Sequence, residues 1–266
     1  MTSVFPARHV YLGEEMFLIH GQLGAVHYAE TRQGLLDELN QAASNQPPRS
    51  TRAIAAKRMG ELLTAPDSSL FAEGEDIYNF AGIANGEVVC GNFEYANCLK
   101  AGDNIDAVVS RRSGVLFAHG VRRTSDHLFL LPKDALAGQD ALYRRCMRFA
   151  WRMTVFLWIV FGTGQLVYNI MYPESGQSYL FDVIVTLIAP PLLMFGTEML
   201  TYRKMDGAGE YAKTIFETFN IPRADSFDAL PGMDFFKQDY RSFFAVNADK
   251  ALKHHGKKFK LPAHSG

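Results

Sequence analysis

Residues Met153 to Tyr172 read MTVFLWIVFGTGQLVYNIMY, 20 residues without a charged side chain. As a helix, a run of this length measures about 30 Å, the thickness of a bilayer's hydrocarbon core. A second apolar run, YLFDVIVTLIAPPLLMFGTEMLTY, extends from Tyr179 to Tyr202. Its acidic residues, Asp182 and Glu198, lie near its ends, within reach of headgroups and water. Six turn-forming residues, PESGQS from Pro173 to Ser178, separate the runs. The pattern predicts a helical hairpin with spans at 153–172 and 179–202 and the lipid bilayer as its partner. The first run lies too far along the chain for a signal peptide. A buried core hairpin in a soluble protein is the alternative, and an uncharged 20-residue run with arginine-rich flanks argues against it.

The flanks predict the orientation. Arg144, Arg145, Arg148 and Arg152 precede the first run, Arg203 and Lys204 follow the second, and the connecting loop carries Glu174 and no basic residue. Lys and Arg accumulate on the cytoplasmic side. Both termini are therefore expected in the cytoplasm of a multi-pass protein of a bacterial inner membrane. Trp151, Tyr168, Tyr172, Tyr179 and Tyr202 fall near the expected interfaces, where amphipathic rings are favoured.

Within the runs, Gln165 and Asn169 are four residues apart and share a helix face. Amides so placed usually hydrogen-bond a neighbouring helix, at about 1 kcal/mol; lining a polar path is the rarer reading. Gly162 and Gly164 would allow close backbone approach. Pro190-Pro191 removes two backbone donors mid-helix and predicts a kink, with packing favoured over gating. Glu198, about a turn from Arg203 and Lys204, is expected to pair at the interface.

Residues 1–140 contain 12 basic and 17 acidic side chains, a mildly acidic balance. Strand-like runs occur at Met16–Tyr28, Ile77–Ala84, Val88–Tyr95, Ile105–Ser110, Val115–Arg122 and His127–Leu131, separated by turn signals such as Asn85-Gly86 and Ser113-Gly114. Their spacing predicts a small antiparallel barrel or meander. Between the first two strands, Leu35, Leu36, Leu39 and Ala43 recur at helical spacing, and Ser50-Thr51 can cap a second helix over Arg52–Leu63. This segment is read as a two-helix insertion. After Lys204, the sequence Asp206-Gly207-Ala208-Gly209 reads as a break before an amphipathic helix over Glu210–Asn220, placed on the inner leaflet or on the barrel. An aromatic patch (Phe235, Phe236, Tyr240, Phe243, Phe244) and a tail with Lys250, Lys253, Lys257, Lys258 and Lys260 follow. Such a tail would favour anionic headgroups or remain solvated and frayed. The expected class is thus an α+β membrane protein with three parts: a cytoplasmic β-rich domain (1–140), a transmembrane hairpin (141–204) and C-terminal amphipathic helices with a basic tail (205–266).

Composition narrows the chemistry. A net charge of −1 over 266 residues gives no basis for nucleic-acid binding. Cys90, Cys98 and Cys146 are too few and wrongly spaced for a disulfide scaffold or a CxxC site. His20, His27, His119 and His127 lack tight metal-ligand spacing. There is no GxSxG, P-loop, HExxH or GxGxxG motif. Neither enzymatic activity, metal nor cofactor is expected.

Four stretches carry a resemblance: VVCGNFEYANCLKAGDNIDAVV (Val88–Val109), LFLLPKD (Leu128–Asp134), YRRCMRFAWRM (Tyr143–Met153), and AKTIFETFNIP (Ala212–Pro222) with the following Ala224–Leu230. In order and character, they resemble a bacterial family labelled type VI secretion system effectors. The resemblance covers much of the chain after about residue 75 and brings no catalytic residues with it. It implies a membrane-acting effector in bacterial competition, with a secretion chaperone as partner and a pore-forming homo-oligomer as its working form. A resident inner-membrane immunity or accessory protein binding a cognate toxin is the alternative. A membrane-tethered module whose barrel binds a ligand or partner is a third reading.

Overall fold

The computed structural model describes residues 8–11, 13–45, 56–57, 59–61, 77–132, 135–172, 179–230 and 245–259. Eight strands form one sheet: β1 (Arg8–Tyr11), β2 (Glu14–Ala29), β3 (Ile77–Ala84), β4 (Glu87–Glu94), β5 (Asn104–Arg112), β6 (Val115–Arg123), β7 (Leu128–Leu130) and β8 (Ala245–Asn247). Five of them close a barrel in the order β2–β3–β4–β6–β5–β2. The long strand β2 serves two neighbours, pairing with β5 over Met16–Gln22 and with β3 over Leu23–Ala29, with a register irregularity between Leu23 and Val26. The expected barrel is therefore present, but not wholly antiparallel: β4 and β6 run parallel, with Val89 opposite Leu116 and Cys90 opposite Phe117. The reason is parity. Directions cannot alternate all the way around a closed ring of five strands, so one pair must be parallel. Strands β1, β7 and β8 extend the sheet outside the ring.

Strand side chains alternate between two buried layers. Leu23, Phe80, Val89, Phe93, Ile105, Val109 and Leu116 fill the barrel interior. Outward neighbours are also covered. Ala81, Val88, Cys90, Val115 and Phe117 pack under α1 (Arg32–Ser44) through Leu35 and Leu39, with Ala56 and Met59 from a short helical stretch. Burial on both faces explains why the strands read as imperfectly amphipathic. Thr31 caps α1 by accepting a hydrogen bond from the Gly34 amide at 3.1 Å.

Two long helices follow, α2 (Gln139–Met171) and α3 (Tyr179–Thr218). Both are long and apolar enough to cross a membrane, and only 6% of the most apolar window of each is buried. A core hairpin of a soluble domain would be mostly covered. Phe156, Ile159, Phe161, Ile170, Leu192 and Leu193 are all more than half exposed.

Helix α3 continues without a break through residues 206–209, where the glycines predict an interruption. Gly209 serves close packing instead: a Cβ there would stand 2.9 Å from the Gln139 Cα. Beyond that crossing, α3 lies on the barrel, where Ala212, Ile215, Phe216 and Phe219 join Phe129, Leu131 and Phe227 in a third buried cluster. The described part of the basic tail is helical. Helix α4 (Ala248–Phe259) buries Ala248, Ala251 and His255 and leaves Lys250, Lys253, Lys257 and Lys258 exposed. The aromatic patch from Phe235 to Phe244, Lys260, the Pro173–Ser178 turn and most of the expected second insertion helix lie outside the described residues.

Candidate functional site

The sequence directs attention to the hairpin, and its geometry begins at the prolines. A helical proline leaves the carbonyl four residues earlier without its donor. For Pro191 that carbonyl is Leu187, and the indole Nε1–H of Trp158 on α2 donates to it across the helix pair at 3.2 Å. Pro190 is buried and Pro191 half-buried, so the diproline sits in the seam between the helices. Gln165 and Asn169 are half-buried while Leu166, Val167, Tyr168 and Ile170 beside them are exposed. The glycines do not make the expected close contact: a Cβ at Gly162 or Gly164 would meet nothing within 4 Å.

The polar flank divides into two groups. Arg144 and Arg145 face the segment after α3, where Arg144 donates to the Ser226 carbonyl at 3.2 Å and Arg145 forms an ion pair with Asp228. An isolated bridge between Ala137 and Asp228 and a hydrogen bond from the Gly138 amide to the Phe227 carbonyl (2.9 Å) tie the same segment to the start of α2. Arg148, Arg152, Arg203 and Lys204 are exposed. The expected pairing of Glu198 with Arg203 or Lys204 is absent among the described ion pairs. Glu198 instead lies against Cys146 on α2, where burial first, and then the Glu198 carboxylate, push the thiol's pKa up. Helix periodicity explains the difference, because Glu198 belongs to the face turned towards α2.

An open groove of about 560 Å³ runs along the start of α2, lined by Tyr143, Arg144, Arg148, Trp151, Arg152 and Lys258 among others. The lysine comes from α4, more than 100 positions later in the chain.

A chain of polar groups, with Ser110 and His119 buried at its centre, links α3 to the barrel. The Tyr211 hydroxyl on α3 lies 2.7 Å from His119 Nδ1, and His119 Nε2 lies 2.8 Å from Ser110 Oγ. The Ser110 hydroxyl donates to Glu14 at 3.0 Å, and Arg112 donates two hydrogen bonds to the same carboxylate oxygen. Every donor is matched when His119 is neutral with its proton on Nε2: tyrosine to histidine, histidine to serine, serine to glutamate. Burial, then repulsion from Arg112, lowers the His119 pKa to about 4 against the opposing pull of Glu14. For Glu14, burial acts upward, but the hydrogen bond and charge of Arg112 prevail and hold the carboxyl below its ordinary value. The Ser110–His119 contact has the distance of a nucleophile–base pair. Ser110 is only 1% exposed and aims its proton at Glu14, so the arrangement is a structural latch.

Sequence reasoning anticipated neither the Trp158–Leu187 bond nor this latch. The first left a signal, since Pro191 orphans a known carbonyl in an apolar segment. The second left none, because its members span residues 14 to 211. Among the described residues, no group of three or more His, Cys, Asp or Glu is placed to hold a metal ion. Comparison with protein-family models, with curated proteins and with solved structures finds no match for this chain.

Proposed function

We propose that this chain is an integral protein of a bacterial inner membrane, in which the α2–α3 hairpin anchors the barrel against the cytoplasmic face as a non-enzymatic partner-binding module. The carrying observation is that α3 is one unbroken helix whose first part is apolar and exposed, and whose last part is buried in the barrel's outer core. Such a helix transmits the anchor's position to the barrel without a flexible linker. The barrel interior is filled by its own side chains, so its partner is expected on the outer surface.

The membrane-acting effector role implied by the resemblance uses the same anchor and differs in consequence. Expression of the full chain in a test bacterium separates the two. The module reading expects the protein in the carbonate-washed membrane fraction with the membrane potential unchanged. Depolarisation on expression, abolished by Gln165→Leu with Asn169→Leu, would establish the effector instead. Protection of the host from a co-expressed toxin would narrow the module to an immunity protein. Recovery of the full chain in a detergent-free supernatant would refute the membrane reading altogether.

A further inference from the structure

We infer that the groove between the start of α2 and the end of α4 is a binding site for the phosphate of an anionic phospholipid headgroup. The inference rests on the membrane reading above and adds a ligand to it. Arg144, Arg148 and Arg152 follow one another at four-residue intervals, so they lie on one helix face. Lys258 reaches the same groove from α4, and among the described residues no acidic side chain lines it. The site stands at the depth where headgroups belong: Trp151 lies in the groove wall, more than half exposed, two residues before the uncharged run begins at Met153. Aromatic rings favour that level of a bilayer, and basic pockets beside membrane helices on the cytoplasmic side suit anionic headgroups.

The electrostatics agree with this geometry. Burial, followed by repulsion from Arg144 and Arg148, lowers the Lys258 pKa, with Asp228 acting in the opposite sense. Asp228 is itself engaged by Arg145. A phosphate offers several acceptor oxygens to guanidinium donors. The tail was expected either to favour headgroups diffusely or to fray; the docked α4 gives one of its lysines a defined partner surface instead.

The test uses the full chain reconstituted in nanodiscs of equal phosphatidylglycerol and phosphatidylcholine, with retained lipid measured by native mass spectrometry after detergent release. The expected result is preferential retention of phosphatidylglycerol, reduced about fivefold by Lys258→Gln and again by Arg148→Gln. Both side chains are exposed, so the fold should survive, and a circular dichroism melt checks it. Arg203→Gln with Lys204→Gln removes two charges from the other flank and is expected to leave the preference intact. An equal loss in that control would mean diffuse attraction and overturn the groove assignment. Release of the lipid by millimolar inorganic phosphate would reassign the site to a soluble phosphate, and no preference in the wild-type chain would also overturn it. Carbonate-resistant membrane association is scored separately on the same preparations, so failure of the lipid site and failure of the anchor give different results.

Discussion

His119 gives the chain a defined response to acid. Its pKa is lowered from 6.5 to about 4 in the folded protein. Between those values the unfolded chain binds the extra proton, so stability is complete above pH 6.5 and falls as pH drops towards 4. The loss amounts to about 3 kcal/mol at most. Thermal unfolding in detergent between pH 4 and 7 is expected to fall accordingly, and His119→Gln should flatten that profile. An unchanged slope in the variant would show that another group controls it. Tyr211→Phe removes the hydroxyl that serves His119 Nδ1 and should cost about 1 kcal/mol at neutral pH. Gly138 makes a steric demand: a Cβ there would lie 2.2 Å from the Ala224 carbonyl oxygen. Gly138→Ala must therefore displace the 224–228 segment, with a destabilisation of about 2 kcal/mol expected in a thermal or denaturant melt.

In the helix pair, the diproline and the tryptophan form a coupled unit. Trp158→Phe keeps an aromatic ring, although a smaller one, and leaves the Leu187 carbonyl without its indole donor, at an expected cost of about 1 kcal/mol for the hydrogen bond in an apolar setting. In a Pro191→Ala background the backbone donor is restored, so the same tryptophan change should cost much less. A double-mutant cycle on hairpin stability in detergent measures the coupling, and additive effects would refute the unit. Length matters as well. From Trp151 to Tyr172, α2 rises about 31 Å, matching the hydrocarbon core and placing exposed aromatic rings near both expected interfaces.

For the molecule as a unit, the barrel and the hairpin share a core. Ile215, Phe216, Phe219 and Phe227 pack against Met16, Val108, Phe129 and Leu131 of the sheet. Residues 1–140 expressed alone would expose that face, and are expected to aggregate or elute as a heterogeneous species in size-exclusion chromatography. Recovery of a monomeric, cooperatively melting 1–140 fragment would contradict the shared core. In the full chain, Phe216→Ala should cost about 3–5 kcal/mol, because the ring is fully buried and its neighbours come from several elements.

Local rules sufficed for the long helices and the strands of the ring. Apolar length predicts the two long helices, and alternation bounded by Asn-Gly and Ser-Gly turns predicts the ring strands to within two residues. Outcomes that depend on residues far apart were not legible: the parallel closure of β4 on β6, Gly209 packing on Gln139 within an unbroken helix, and Lys258 meeting Arg148. The physical reason is that sequence records the propensity and polarity of each segment, whereas ring parity, helix crossing and the convergence of distant charges arise only once the segments share one core.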